Sequence, residues 1–127
     1  MNQLNYSYTE LPTLEDIYLE DSWVLAMSAS YRRLVFVVEF VLTPGHPSYR
    51  DPEPGKQYCS KTGELRFERV TTLSWVDQTA LPAVDASGDV DYGAIDTLAR
   101  RGNRYELTGD FGTITVVTEE LPVVAWP

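Results

Sequence analysis

The sequence predicts an all-β or β-rich α+β fold: an antiparallel sandwich or partly open barrel of about six to eight strands, with one short helix near residues 93–101. Three observations predict it. Residues 34–42 (LVFVVEFVL) form a near-continuous run of strand formers interrupted only by Glu39. Other alternating segments are separated by short turn signals, the clearest being Gly109-Asp110. Eight tyrosines and three tryptophans, against two methionines, suit strands and contact surfaces better than a helical bundle.

In chain order, residues 13–19 read either as a turn of helix, with Thr13 as its cap and Leu14, Ile17 and Tyr18 on one side, or as a strand. Residues 22–30 (SWVLAMSAS) alternate, placing Trp23, Leu25 and Met27 on one face and Val24 and Ala26 on the other. Tyr31-Arg32-Arg33 separates this segment from the run at 34–42, so the two form an antiparallel hairpin. Within that run Leu34, Phe36, Val38, Phe40 and Leu42 share one face, and Val35, Val37 and Val41 share the other with Glu39. That is the pattern of a central strand covered on both sides for most of its length. A carboxylate among valines must then find a partner such as an arginine or reach solvent at the rim.

Residues 43–60 carry four prolines, two glycines, the only histidine (His46) and the only cysteine (Cys59), the composition of a loop. Residues 64–75 form a further strand pair or one bent strand, with Leu65, Phe67, Leu73 and Trp75 as core candidates. In residues 91–102 (DYGAIDTLARRG), Asp91 stands as an N-cap, Ile95, Leu98 and Ala99 have helical spacing, Asp96 and Arg100 are an i,i+4 pair, and Gly102 terminates the helix. Residues 104–108 and 111–118 flank Gly109-Asp110, a hairpin in which the glycine supplies a positive φ, and Gly112 marks a bulge.

A chain of 127 residues fits one globular domain, residues 1–127, able to bury about two-thirds of its unfolded surface. A hydrophobic fraction of 43% excludes the disordered class. No lysine-rich leader and no long apolar stretch is present, and a single cysteine excludes an internal disulfide framework, so a cytoplasmic location is expected. The net charge of -9 divides into -5 over residues 1–30, +2 over residues 31–70 and -6 over residues 71–127. Such a chain repels nucleic acid and anionic membranes, which bind chiefly through lysine and arginine, and it permits a basic protein partner.

Three constellations could carry chemistry. Asp85, Asp89, Asp91 and Asp96 invite a calcium-loop reading. With Asp85 at the first position, however, Val90 occupies the glycine site, so these residues are at most weak metal candidates. His46 and Cys59, thirteen positions apart, supply two of the three or four protein ligands zinc takes, and no local motif activates the thiol. Tyr31, Arg32, Arg33, His46, Tyr49, Arg50 and Tyr58 combine aromatic and basic side chains around a proline-stiffened loop, the composition of a protein interface. No phosphate-binding glycine loop, paired-cysteine zinc set or nucleophile elbow occurs, and no cofactor is implied.

The function expected from these residues is a small acidic, non-enzymatic protein-interaction module, with an immunity or inhibitor-type protein for a basic partner as its concrete version. A small-molecule or carbohydrate-binding β domain, in which Trp23 or Trp75 lines a pocket, is the alternative. An enzyme using His46 is the least favoured. Exposed sheet edges also allow a homodimer.

Overall fold

The computed structural model describes residues 5–7, 11–76, 83–84, 90–91 and 93–126. In them the period-two pattern becomes eleven strands: β1 (Asn5–Ser7), β2 (Ile17–Ser30), β3 (Arg33–Leu42), β4 (Cys59–Glu68), β5 (Thr72–Val76), β6 (Ala83–Val84), β7 (Val90–Asp91), β8 (Ile95–Arg101), β9 (Arg104–Gly109), β10 (Gly112–Val117) and β11 (Val123–Ala125). One antiparallel sheet has the order β1-β8-β9-β10-β5 and the other β11-β4-β3-β2, while β6 and β7 make a separate ribbon. This is the all-β sandwich that the patterning predicts. It has more strands than the six to eight expected, because three-residue strands such as β11 are too short to display a period.

The LVFVVEFVL run organises the four-stranded sheet. As β3 it lies between β2 and β4, the central position expected of it. Leu34, Phe36, Val38, Phe40 and Leu42 are all buried between the sheets, each contributing about 1.5–3 kcal/mol through removal from water. The other face departs from the expectation. Val41 is buried there, but Val35, Val37 and Glu39 are only half-buried, because no second layer covers the outside of this sheet among the described residues. Glu39 meets its polar requirement with a hydroxyl, accepting a hydrogen bond from Ser60 at 3.0 Å.

The hairpin of β2 and β3 forms as expected around Tyr31 and Arg32. The expected split of β2 into two faces fails. Val24 is fully buried but Ala26 exposed, and Trp23 is 48% exposed but Met27 packs against the core, because β2 carries two register shifts against β3, one between Tyr18 and Trp23 and one between Val24 and Ala26. Each added residue inverts the in–out parity, so alternation read straight through the segment fails. Beyond its bulge β2 also reaches the other sheet: Val24 N–H donates to the Gly93 carbonyl at 2.8 Å, and Trp23 bridges Ala94.

Residues 64–75 are a strand pair, but its members belong to different sheets, β4 pairing with β3 and β5 with β10. The corner between them is stitched to both layers. Val70 N–H donates to Arg32 O at 2.9 Å, Thr71 N–H to Val117 O at 2.8 Å, and Thr118 Oγ1 to Glu68 O at 2.6 Å. Leu65 and Phe67 are core residues; Trp75 is half-buried with its indole N–H on Phe111 O, and Leu73 on the edge strand is exposed.

The helix expected near residues 93–101 is strand β8, hydrogen-bonded between β1 and β9. The misreading has a definite cause. Between Ile95 and Thr97 the strand advances two residues while β9 advances one, from Gly109 to Thr108. This extra residue lets Ile95 and Leu98 both face the core at a spacing of three, which imitates a helix. Gly102, with φ of 61°, is the first turn residue of the β8–β9 hairpin, where a two-residue II′ turn takes glycine. In the β9–β10 hairpin the positive φ belongs to Gly112, at 105°, and not to Gly109. The bulge expected at Gly112 is absent, since Gly112 pairs with Gly109 and Thr113 with Thr108 without a shift, while Gly109 is needed for close approach, since a Cβ there would lie 2.5 Å from Ala94 O. Residues 13–19 resolve into a 3-10 turn at Pro12–Leu14 followed by the start of β2.

Candidate functional site

The β3–β4 connection spans sixteen residues, 43–58. A loop of that length inside a compact fold is generally functional or disordered, and this one is tied down along its course. Thr43 N–H donates to Asp16 O at 3.0 Å, and Gly45 leaves room for the Asp16 carboxylate, which a Cβ would approach to 2.8 Å. His46 N–H bonds Thr43 O and Tyr49 N–H bonds His46 O, each at 2.9 Å. Four prolines restrict the remaining backbone.

The second wall of the site comes from a defect in β2. Between Tyr18 and Trp23 the strand advances five residues while β3 advances two, from Val41 to Glu39. The extrusion would leave Val41 N–H without a ladder partner. Ser22 supplies one: its fully buried hydroxyl accepts from Val41 N–H at 2.9 Å and donates to Tyr18 O at 2.9 Å. With Ser22 turned inward, Glu20 and Asp21 project into solvent. Asp21 meets Tyr58 from the far end of the loop, and the phenol of Tyr58 is raised above its ordinary value, chiefly by its hydrogen bond to the Asp21 carboxylate.

Between these walls lies an open cleft of about 380 Å³, bounded by Tyr18, Asp21, Pro44, Tyr49, Pro52 and Tyr58 over a floor that includes Val41. Tyr18 and Tyr58 are 45% and 42% exposed, so their rings are available to a ligand. Asp21 is the single charged residue of the lining. A second, more polar cleft of about 520 Å³ lies on the other side of the loop, between Arg50, Asp51, Glu53, Lys56 and Lys61.

The structure divides the seven sequence-derived interface candidates. Tyr31, Arg32 and Arg33 sit at the β2–β3 turn, whereas His46, Tyr49, Arg50 and Tyr58 sit beyond the opposite end of β3. A ten-residue strand separates the groups, roughly 30 Å. Tyr31 is 92% exposed at the hairpin tip, and Arg33 pairs with Glu68, its register partner on β4, at 2.9 Å. Tyr49 and Tyr58 both line the aromatic cleft, and Tyr49, Arg50 and Tyr58 line the polar one.

His46 serves the fold. Its Nδ1 accepts from Ser48 N–H at 3.0 Å, and its ring stands edge-on to Trp126 with centroids 5.6 Å apart. Trp126 also packs on Phe40 and lies under the Lys61 ammonium, in a slot that exists because residue 63 is glycine; a Cβ there would come within 2.7 Å of the indole. Cys59 packs against the core and accepts from Arg50 N–H at 3.5 Å. Among the described residues no group of three or more His, Cys, Asp and Glu side chains is placed to hold a metal ion. Asp85 and Asp89 lie outside the described residues, and Asp96 is exposed at the β8 bulge. No helix among the described residues is long and apolar enough to cross a membrane.

Two participants, Tyr18 and Asp21, had not been picked out as site residues by sequence reasoning. Tyr18 lies in the segment 13–19 that reads as a turn of helix or a strand, Asp21 falls between it and the strand at 22–30, and the one local hint is the acidic pair Glu20-Asp21. No protein-family model, no curated protein and no solved structure matches this chain.

Proposed function

We propose that this protein is a non-enzymatic protein-interaction module, of the immunity or inhibitor type, that binds a basic partner in the cytoplasm through the outer face of its four-stranded sheet. The observation that carries the reading is Trp23, 48% exposed on that face. It stands opposite Glu39 in register, with half-buried Val35 and Val37 and exposed Ala26 along the same face. Tryptophan surrounded by apolar strand residues and rimmed by charge is the composition of an interface centre. The rim here is Glu39, Glu64 and Arg66, the last two paired at 2.7 Å, and the net charge of -9 favours encounter with a cationic surface.

The test uses two variants of opposite placement. Val37→Lys puts a cation in the apolar face, where the register neighbour Glu64 accommodates it, whereas Thr115→Lys puts the same charge on the outer face of the other sheet. Capture from an extract of the source cells should yield a basic protein with the native chain and with Thr115→Lys, and at least about tenfold less with Val37→Lys. Equal capture by all three chains would sink the reading. A dimer in light scattering that Val37→Lys dissociates would assign the face to a second copy instead.

The aromatic cleft favours one other reading, a small-molecule or carbohydrate-binding domain, since its volume of about 380 Å³ lies within the range of ligand pockets.

A further inference from the structure

We infer that the cleft between β2 and the β3–β4 loop receives an arginine side chain of the partner, its guanidinium stacked among Tyr18, Tyr49 and Tyr58 and its charge met by Asp21. This rests on the interaction-module reading and assigns it a specific anchor.

Three tyrosines and two prolines surround one carboxylate, with no cation among the lining residues. Tyrosine faces attract a cation through the ring quadrupole, and a planar guanidinium can lie flat against a ring while donating in its plane. Asp21 is positioned to accept such a donor. Ser22 fixes the bulge that projects it, and Tyr58 lines the cleft with it, so the exposed carboxylate keeps lone pairs for a forked contact. A lysine would use the same charge but could not stack, and a neutral ligand would leave the carboxylate without a counter-charge.

The surroundings act in the same sense. Glu20 is exposed next to Asp21 and adds a second negative charge at the β2 side of the cleft, while Arg50 and Lys56 belong to the adjoining polar cleft. The cleft also continues the proposed docking face. Tyr18 pairs with Val41 and Trp23 with Glu39, two residues further along the same side of β3. A partner seated on Trp23 therefore has the cleft within one side-chain length.

The experiment is titration of the isotopically labelled protein with N-acetyl-arginine amide, and separately with N-acetyl-citrulline amide, its neutral near-isostere, following backbone amide signals. Arginine amide should move the signals of Tyr18, Asp21 and Tyr58 saturably, and citrulline amide should bind at least about tenfold more weakly. Asp21→Asn should lose a similar factor, and Tyr58→Phe, which removes only the hydroxyl that holds Asp21, should lose less; the same spectra report whether each variant is folded. Equal binding of arginine and citrulline, or an unchanged affinity in Asp21→Asn, would overturn the assignment. Absence of any saturable shift with arginine, or saturable shifts with a methyl glycoside in its place, would do so too. If arginine amide fails while Val37→Lys still abolishes partner capture, the anchor falls and the module reading stands. If arginine amide binds and capture is indifferent to Val37→Lys, the converse holds.

Discussion

On the outside of the four-stranded sheet, β2 and β3 present Trp23, Ala26, Val35 and Val37; on the outside of the five-stranded sheet, the strands present mostly hydroxyls, Thr72, Ser74, Thr97, Thr108, Thr113 and Thr115, with Val76 and Val117 the valines among them. Both rows obey the same alternation, and β-branched residues recur in each, valine in the first and threonine in the second. Valine and threonine form strands about equally well, so strand formation alone does not explain the difference. The hydroxyls are suited to water, and those of Thr97 and Thr108 also bond each other across their strands. Valines left half-exposed beside an exposed tryptophan gain nothing from water. The contrast therefore separates a face adapted to solvent from one adapted to being covered, and it is the physical ground for placing the partner on the latter.

The comparison can be broken first by stability. Phe40 on the inner side of β3 is fully buried, so Phe40→Ala should cost about 3–5 kcal/mol in urea unfolding, while Trp23→Ala on the outer side should cost about 1 kcal/mol or less. A Trp23 loss as large as that at Phe40 would mean that the indole works as core, and the outer face would lose its centre. Ser22→Ala should come next. It leaves the buried Val41 N–H without an acceptor, which costs about 1–3 kcal/mol, and it should displace the amide signals of Asp21 more than those of the threonine face. An unaltered unfolding midpoint would show that the bulge does not depend on that hydroxyl.

The smallest effect on folding is expected from exchanging the two chemistries. Val35→Thr with Val37→Thr should change stability by no more than about 0.5–1 kcal/mol and yet weaken partner binding. Thr113→Val with Thr115→Val should leave partner binding unchanged and promote self-association, read by light scattering. If the valine-to-threonine pair binds the partner as the native chain does, the two faces are equivalent after all.

Several elements could be read directly from residues. The inner row of β3, the turn at Tyr31 and the hairpin after Gly109 all follow from local pattern and backbone preference, and the structure has each where the pattern places it. Three others could not. Ile95 and Leu98 look helical because a one-residue bulge reproduces helical spacing within a strand. Trp23 stays open between core and binding surface because hydrophobicity marks a residue as apolar without saying whether the apolar neighbour is its own chain or another molecule. Tyr31 and Arg33 look like companions of Tyr49 and Arg50, yet a full strand length separates them.

By itself, then, the sequence of this protein determined that it is built of antiparallel strands, where the main ones turn, and which residues of β3 face inward. These depend on φ/ψ preferences and on a side-chain period that each segment carries within itself. Long-range pairing sets the rest: β4 and β5 join different sheets, β2 bulges after Tyr18, and Asp21 consequently stands beside Tyr58. Strand pairing is a choice among distant hydrogen-bonding partners, and a single unpaired residue inverts every face beyond it. The candidate site is made from such a defect, closed by a loop whose Tyr58 lies forty residues along the chain from Tyr18.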